Sequence, residues 1–561
     1  MASNLPMYAV YGYSSWQWGP GNNPGQQLTN MPAGYPGATN ASKLLTFFCI
    51  SDIHITDKEC PSQSLITSYQ SETGEKGNSS TYSPVMLRTT QVLDAAIKTA
   101  NDLNRLMSFD FGMSLGDDCN SSQYNELRWF INVIDGGYIT PSSGTNAGAT
   151  TIDYQMPYQA VGLDPAVPWY AVLGNHDHFW TGALPVTDYM RQSYTNNVML
   201  LLGSMNDGGV NARKEFMGTI DGSTPDGNVV GAGLVADFIV GGVTNAPFVT
   251  PDPNRYSLTT SNWMREFFNT TSKPVGHGWS QANITNNFAC YTFEPKTNLP
   301  LRVIVLDDTM TDQDLDLSGQ GGLDSHQLSW LVHELNRGQA ENKLMIVAAH
   351  IPIELIGMPN TTNSVICGTN LLTILHTYPN LILWVAGHMH RNNIKAQPSP
   401  YDGRPEYGFW EVENPSLRDM PQEFRTYEIL RNTDNSISIR VTDIDPDVAT
   451  NSQAGISRAY AIGAARIFNA PSTNLTDTSS WTENGELVKL LTPPMQARIA
   501  SLGEPLGYKV AMDHDGTGVT INFLGELQSA DTLSGTWHDV ANLSPYTVPT
   551  TNAAKFYRAT E

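Results

Sequence analysis

The hydrophobic pattern of the chain changes near residue 43. Residues 1–42 are rich in Gly, Pro, Asn and aromatic residues and have no helix or strand period. They predict an extended arm that packs its aromatic side chains on the main domain. From residue 43 onwards, nearly continuous apolar runs alternate with segments of helical spacing. Strands covered by helices on both faces give such runs, so the pattern predicts an α/β fold.

The predicted strands and helices alternate along residues 43–446. Strands are predicted at 44–50, 109–115, 169–173, 301–306, 344–349 and 381–386. Helices are predicted at 91–104, 123–134, 261–268, 370–377 and 325–337, the last with Asp324 as its N-cap. A hairpin of strands at 424–430 and 436–442 follows. The polar stretch at about 181–298 is interpreted as an insertion that shapes a cleft.

The pattern changes again beyond residue 446. Residues 447–504 are rich in Ser, Thr and Asn and predict a linker with one short helical segment at 485–501. Residues 505–561 contain four short runs with the pattern of strands, at 508–512, 519–523, 536–540 and 555–559. They predict a small C-terminal all-β module.

Composition and charge narrow the classes of partner. The chain has 31 Lys and Arg against 54 Asp and Glu, a net charge of -23, so we expect no nucleic-acid-binding surface. Apolar runs are too short for a transmembrane segment. The five cysteines are odd in number and widely spaced, which is not the pattern of a disulfide framework. The low content of charged residues is typical of an extracellular or periplasmic protein, whose signal peptide is absent from this chain.

Polar side chains follow five of the predicted strands at the point where each strand ends. These residues are Asp52 and His54, Asp117 and Asp118, the run from Asn175 to His178, His350, and His388 with His390. In open α/β sheets, ligand sites lie beyond the carboxyl ends of the strands. Asp, Asn and His side chains suit Zn, Mn, Fe or Ni ions, and they are too many for one tetrahedral ion. Asp307 and Asp308 follow another strand and are interpreted as a turn.

The ordered motifs resemble those of the calcineurin-like metallophosphoesterases over roughly residues 43–445. The motifs are Asp52-Ile53-His54, Gly116-Asp117, Gly174-Asn175-His176-Asp177, the single His350, and Gly387-His388-Met389-His390. The aromatic arm and the segments FFCISDIHITDKE and GFWEVENPSLRDMPQEFRTYEI are similar to a bacterial, secreted subfamily of unassigned substrate. The resemblance implies a four-layer α/β/β/α sandwich, here followed by the small C-terminal all-β module.

The resemblance also implies a role for each motif residue. Metal one would be held by Asp52, His54, Asp117 and His390, and metal two by Asp117, Asn175, His350 and His388. A hydroxide bridging the two transition-metal ions would attack the phosphate ester. His176 would contact the phosphoryl group and protonate the leaving oxygen, and Asp177 would orient His176.

Substrate contacts are predicted for His178, Asn120 and Arg391, with Arg418 and Arg425 as further nearby cations. Asn120 stands where the family usually has an acidic residue. Purple acid phosphatases have a metal-binding Tyr at this position, so the purple, iron(III)–tyrosinate class is disfavoured. The favoured function is hydrolysis of a small phosphorylated substrate, a phosphomonoester such as a nucleotide. A phosphodiesterase is the alternative, and a non-catalytic adhesion or scaffold protein is the alternative of another class. The C-terminal module is a candidate for cell-surface or glycan contact.

Overall fold

The computed structural model describes residues 14–17, 27–29, 38–60, 64–66, 84–180, 182, 184–186, 191, 194–196, 216–220, 224, 227, 229–234, 250–309, 321–357, 364–468, 484–514, 518–541, 543–549 and 555–560. These ranges contain all seven predicted metal ligands. They also contain the strands and helices from which the candidate site is built.

The strands follow one another along the whole described chain. The first half contains β1 Gln27–Thr29, β2 Asn40–Ile50, β3 Ser64–Ile66, β4 Phe111–Ser114, β5 Tyr138–Ile139, β6 Tyr158–Gln159, β7 Trp169–Ala171, β8 Phe179–Trp180, β9 Leu184–Pro185, β10 Phe216–Ile220, β11 Val229–Leu234, β12 Tyr291–Phe293 and β13 Leu301–Val305. The second half contains β14 Leu344–Ala348, β15 Leu381–Ala386, β16 Asn393–Gln397, β17 Phe409–Glu413, β18 Phe424–Asn432, β19 Ile437–Ile444, β20 Gly485–Lys489, β21 Ala511–His514, β22 Gly518–Asn522, β23 Glu526–Ala530, β24 His538–Ala541, β25 Tyr546–Pro549 and β26 Phe556–Thr560.

The α-helices lie between these strands. They are α1 Thr89–Met107, α2 Tyr124–Ile134, α3 Thr260–Glu266, α4 Gln281–Asn286, α5 Ser325–Ala340, α6 Gly368–Leu375, α7 Gln453–Phe468 and α8 Pro493–Ile499. Within the described segments, each helix is too short or too polar to span a lipid bilayer.

Two large sheets form the centre of the described fold. One has seven strands in the order β1-β20-β19-β18-β2-β4-β7, and the other has six in the order β12-β13-β14-β15-β17-β16. In the first sheet β2, β4 and β7 run parallel. In the second sheet β13, β14, β15 and β17 run parallel. Because parallel neighbours end at the same edge, each sheet has one edge from which several loops leave.

The two large sheets pack face to face. Val303 of the six-stranded sheet lies in the same hydrophobic core as Phe111 of the seven-stranded sheet. The ring of Phe293 in β12 contacts that of Phe111, with centroids 5.3 Å apart. The next residue along β13, Ile304, lies in a second core with α5 and α6. Successive side chains of a strand point to opposite faces, so the six-stranded sheet is buried on both sides.

The α/β class predicted from the hydrophobic pattern is confirmed. Each of the six predicted core strands overlaps an observed strand, and the predicted hairpin is formed by β18 and β19. Helix α5 begins after Asp324, as predicted. The Asp324 side chain accepts a hydrogen bond from the backbone N–H of Gln327 at 2.7 Å, and the Gln327 side chain accepts one from Asp324 in return. This capping box satisfies two backbone donors at the start of the helix.

The prediction was wrong in part of the segment that follows the hairpin. The helix predicted at 485–501 is a strand at its start, because Gly485–Lys489 pairs antiparallel with β19. Only Pro493–Ile499 is helical there. Helix α7 was not predicted, because polar, turn-forming residues stand on both sides of the segment that has helical spacing. Its Tyr460 and Ala461 pack against Val85. The domain boundaries after residues 42, 446 and 504 stay predictions.

The described residues of the N-terminal arm contact the rest of the chain, and Trp16 and β1 are two of the places. The indole N–H of Trp16 donates to the carbonyl oxygen of Gly455 at 3.3 Å, and the guanidinium of Arg458 lies over the Trp16 ring. Strand β1 pairs in parallel with β20. The remaining aromatic residues of the arm, at positions 8, 11, 13, 18 and 35, lie outside the described residues.

The described C-terminal residues form two small antiparallel sheets, β21-β22-β25 and β24-β23-β26. Ile521, Phe523 and Leu527 form their own small hydrophobic core. The guanidinium of Arg558 lies over the ring of Trp537, 4.5 Å from its centroid. The strands predicted at 519–523 and 555–559 overlap β22 and β26, whereas a glycan or cell-surface contact stays a prediction.

The five cysteines are free thiols. Four of them are buried, and burial raises the pKa of Cys49, Cys119 and Cys290 well above the usual value of a thiol. Such thiols behave as small apolar side chains.

A buried ion pair fastens the inserted region to the loop after β2. Arg255 Nε lies 3.1 Å from Asp57 Oδ2, and both side chains are at most 1% exposed. Ser143 and Asn125 also donate to the Asp57 carboxylate. Burial would raise the pKa of Asp57, but the charge of Arg255 keeps it below its ordinary value. The pair therefore stabilises the fold only while both partners are present.

We predict that Arg255→Ala lowers the free energy of unfolding by about 3 kcal/mol, because it leaves the Asp57 carboxylate buried without its cation. Urea denaturation followed by circular dichroism measures the change. Arg105→Ala is the matched control, since the Arg105–Asp513 pair has side chains 44% and 52% exposed and its loss should leave the midpoint unchanged. Equal midpoints for the two variants would contradict the prediction.

Candidate metal centre

The loops that carry the predicted ligands leave the carboxyl ends of parallel strands in both large sheets. Asp52, Asp117 and Asn175 follow β2, β4 and β7 in the seven-stranded sheet. His350 and His388 follow β14 and β15 in the six-stranded sheet. Because the sheets pack face to face, the two sets of loops meet above the shared core.

The loops bring the ligand atoms into three overlapping clusters, within each of which the atoms lie within 4.8 Å of one another. The clusters are Asp52 with His54 and His390, His54 with Asp117 and His176, and Asp117 with His350 and His388. His54 joins the first cluster to the second, and Asp117 joins the second to the third. The described side chains therefore form one continuous site.

The first half of the site is built round His390. Its Nε2 lies 3.1 Å from Asp52 Oδ1 and 3.2 Å from His54 Nε2. Asp52 is fixed by its neighbours, since Ser51 Oγ donates to its Oδ2 at 2.5 Å and the backbone N–H of His388 donates at 2.9 Å. A carboxylate and two imidazoles thus converge on one point.

The second half is built round Asn175. Its Oδ1 lies 2.9 Å from His350 Nε2 and 3.1 Å from His388 Nδ1. Asp117 Oδ2 lies 3.3 Å from His350 Nε2 and 3.6 Å from His54 Nε2, so this oxygen stands between the two halves. The other carboxylate oxygen of Asp117 accepts the backbone N–H of His176 at 2.7 Å.

The donor separations and types fit two metal ions. Metal–nitrogen and metal–oxygen bonds of about 2.0–2.2 Å put neighbouring donors of one ion roughly 3 to 3.5 Å apart. Most of the contacts here run from 2.9 Å, between Asn175 and His350, to 3.6 Å, between His54 and Asp117, and His54 Nε2 lies 4.0 Å from Asp52 Oδ1. Imidazole, carboxylate and amide oxygen are the donors preferred by Zn, Mn, Fe and Ni.

The backbone of the site is held in an unusual conformation. Five predicted ligands have positive φ angles, namely Asp52 at 51°, His54 at 47°, Asp117 at 54°, His388 at 71° and His390 at 53°. The left-handed region costs a non-glycine residue on the order of 1–2 kcal/mol. Residues remain there only when their surroundings hold them, and such strain clusters at functional sites.

Two motif glycines permit the close approach of the loops. A Cβ at Gly174 would lie 2.1 Å from the backbone nitrogen of Asp117, and a Cβ at Gly387 would lie 2.0 Å from Ser51 Oγ. Both contacts are far shorter than van der Waals separation. The glycines before Asn175 and His388 are therefore required by packing between loops from different strands.

The electrostatics of the site favour positive charge. Burial would raise the pKa of Asp117, but the neighbouring His350 and His176 hold it well below its ordinary value. Burial would lower the pKa of His350, but the Asp117 carboxylate raises it to about 10. Ionised carboxylates thus stabilise positive charge on whatever lies between them, whether a proton or a metal ion.

His176 lies in the site, but its partner differs from the prediction. Its ring is 4.5 Å from that of His54, and its Nδ1 lies 2.8 Å from the carbonyl oxygen of Asn120. The predicted orienting residue, Asp177, instead accepts the backbone N–H groups of Asp117, Cys119 and Gly174. Burial and the charge of Asp118 raise the pKa of Asp177 well above its usual value. Asp177 therefore holds two motif loops together, and a backbone carbonyl orients His176.

The predicted substrate-contact residues lie in different environments. His178 Nε2 contacts Thr309 Oγ1 at 2.9 Å, outside the three clusters. Asn120 Oδ1 accepts a hydrogen bond from Arg418 Nη1 at 2.8 Å. Arg391 Nε lies 2.8 Å from Glu413 and its Nη2 lies 3.3 Å from Glu354, so two carboxylates neutralise its charge.

Three supporting residues were missed or misread from the sequence. Asp308, interpreted as part of a turn, is buried and accepts the backbone N–H groups of His350 and Ile351. Its position directly after a core strand was the available signal. Asp419 accepts a hydrogen bond from His390 Nδ1 at 2.5 Å, and Ser416 Oγ donates to the carbonyl oxygen of Asp52. Neither belongs to a motif with ligand spacing.

Comparisons with known proteins add little to this geometry. No protein-family model matches the chain, and no curated protein matches it. Among solved structures, the chain is similar to a dimetal phosphatase from Danio rerio, with a TM-score of 0.36 and 11% sequence identity. The match covers 72% of this chain and 100% of that one. So distant a likeness carries no weight here, and the case for a metal site rests on its side chains.

We predict that Asp117→Asn abolishes high-affinity binding of at least one of two metal ions, because an amide cannot replace a charged carboxylate shared by two clusters. Equilibrium dialysis against Mn or Zn, followed by elemental analysis, gives the ions bound per chain. The exposed Asp513→Asn is the matched control and should bind as the wild type does. Wild-type binding by the Asp117 variant would contradict the prediction.

Proposed function

We propose that the protein hydrolyses phosphate esters with a dinuclear metal centre, as a member of the calcineurin-like metallophosphoesterases. The observation that carries this proposal is the position of Asp117 Oδ2, 3.6 Å from His54 Nε2 and 3.3 Å from His350 Nε2. One carboxylate oxygen faces both donor clusters, as two ions about 3.5–4 Å apart require. The four-layer α/β/β/α sandwich and the secreted bacterial subfamily belong to the same proposal.

Each half of the site has donors for one ion. The first ion would be held by Asp52, His54, Asp117 and His390, and the second by Asp117, Asn175, His350 and His388. Two such ions, when bound, lower the pKa of a shared water and neutralise negative charge on a phosphoryl group. The metal identity within Fe, Mn, Zn and Ni is left open by this donor set.

His176 is the proposed contact to the leaving oxygen of the ester. Its backbone N–H donates to Asp117 Oδ1 and its Nδ1 lies against the Asn120 carbonyl, so both its backbone and its ring are held. Because the Asn120 carbonyl holds a proton on Nδ1, Nε2 carries a proton for the leaving oxygen only when the ring is the imidazolium. Proton transfer at that atom would assist departure of the alcohol.

A phosphomonoester, such as a nucleotide, is the proposed substrate class, and Arg418 is the residue that favours it. Arg418 Nη1 donates to Asn120 Oδ1 at 2.8 Å, and His176 Nδ1 lies 2.8 Å from the carbonyl oxygen of the same Asn120, so Arg418 and His176 contact one residue. Arg391 and Arg425 are paired with Glu413 and Asp443. A monoester carries a second negative charge that a nearby cation stabilises.

Two alternatives predict different behaviour. A phosphodiesterase would use the same metal ligands and prefer a substrate with one negative charge. A non-catalytic adhesion or scaffold protein would have no need of two ions, and the converging ligand set disfavours it. An extracellular or periplasmic location and a glycan contact through the C-terminal module remain part of the proposal without bearing on the chemistry.

We expect purified protein loaded with Mn, Zn, Fe(II) or Ni to hydrolyse p-nitrophenyl phosphate faster than bis-p-nitrophenyl phosphate. His176→Ala should lower kcat by about 10²–10⁴-fold, the usual contribution of general acid catalysis. Asp117→Asn should remove turnover together with metal. The exposed His538→Ala serves as the control. Two bound ions without turnover on either ester would contradict the proposed activity.

We expect Arg418→Gln to lower kcat/KM for the monoester by about tenfold, the effect of losing one interaction with a charged group. Turnover of the diester should change much less, because that substrate lacks the second charge. Arg391→Gln is the matched control and should leave both esters near wild-type rates. An equal loss on both esters would contradict a role for Arg418 in substrate selection.

A further inference from the structure

The loop after β17 contacts the first half of the metal site from behind. Ser416 Oγ donates to the carbonyl oxygen of Asp52 at 2.7 Å. The backbone N–H of Leu417 donates to the carbonyl oxygen of Ser51 at 3.1 Å. The same Ser416 oxygen accepts the backbone N–H of Asp419 at 3.0 Å, which fixes the turn that carries the Asp419 carboxylate. Residues 416–419 are therefore anchored to the loop that begins with Asp52.

The Asp419 carboxylate meets one particular site histidine. Its Oδ2 lies 2.5 Å from Nδ1 of His390, and both side chains are at least 90% buried. A carboxylate can only accept, so the shared proton belongs to the imidazole Nδ1. The lone pair of His390 Nε2 is then directed at the point where Asp52 Oδ1 and His54 Nε2 converge.

We propose that Asp419 is a positioning residue for the first metal ion and has little influence on the second. The inference rests on the proposed dinuclear site. A carboxylate behind a histidine fixes its tautomer and ring orientation, and makes it a stronger metal donor. Removing such a partner typically weakens metal binding by about 10–100-fold.

The second half of the site is held by different groups. His350 Nδ1 contacts the carbonyl oxygen of Leu115 at 2.8 Å, and Asp308 accepts the backbone N–H of His350. Asn175 Nδ2 donates to the carbonyl oxygen of Gly182 at 2.8 Å. These supports come from loops other than residues 416–419. The two ions should therefore respond differently to a change at Asp419.

The test is a metal titration of Asp419→Asn beside the wild type, using Co(II) alone as the probe. Visible absorption reports the ligand field of each bound ion, and equilibrium dialysis reports its affinity. We expect the variant to bind one Co(II) with wild-type affinity and the other about 10–100-fold more weakly, with a changed absorption band. Asp434→Asn, at the tip of the β18–β19 hairpin, is the control and should match the wild type.

A second variant, Ser416→Ala, keeps the inference testable if Asp419→Asn misfolds. Ser416→Ala keeps the carboxylate but loosens the turn that carries it, so we expect a smaller loss of affinity at the same ion. Unchanged affinity for both ions in Asp419→Asn, or an equal loss at both, would overturn the inference while leaving the dinuclear site intact. Fewer than two ions bound by the wild type would instead overturn the proposed function and this inference with it.

Discussion

The carboxylate of Asp117 is the group on which the geometry of the candidate site depends. One oxygen is held by the backbone N–H of His176, and the other faces His54 and His350, which belong to different sheets. Two sheets packed face to face offer two sets of loops at one edge, but packing alone does not join their polar side chains. A buried carboxylate does so, because its charge must be compensated and histidines on both sides provide that compensation.

The backbone around Asp117 is strained, and burial of the strands beneath it offsets the cost. Asp52, Asp117 and His390 all have positive φ angles, which are uncommon for residues other than glycine. The strands beneath them lie in a continuous hydrophobic core, so the cost is offset by burial that the loops do not provide. Gly174 and Gly387 serve the same end, since a side chain at either position would separate loops that the site requires to touch.

Most of the core strands, and the residues that converge at the candidate site, could be read from the sequence, because buried strands and the residues that end them are local signals. Contacts between segments that are distant along the chain could not be read from the sequence. His54 and His390 lie 336 positions apart, and the support of Asp419 behind His390 depends on how the β17 loop folds back. Strand β20 was misread for a related reason: its pairing with β19 outweighs a short helical pattern.

The acidic surface and the proposed anionic substrate are compatible because charge acts locally. The net charge of -23 is spread over the whole chain, and exposed charges are screened beyond about 8 Å at physiological ionic strength. Arg418 is buried and bonded to Asn120, so its field reaches His176 with less screening. Arg391 is nearer to the ligand motif in sequence, but Glu413 and Glu354 cancel its charge. Under the proposed function, Arg418 is therefore singled out by its contact with Asn120 beside His176 and not by its position in the sequence.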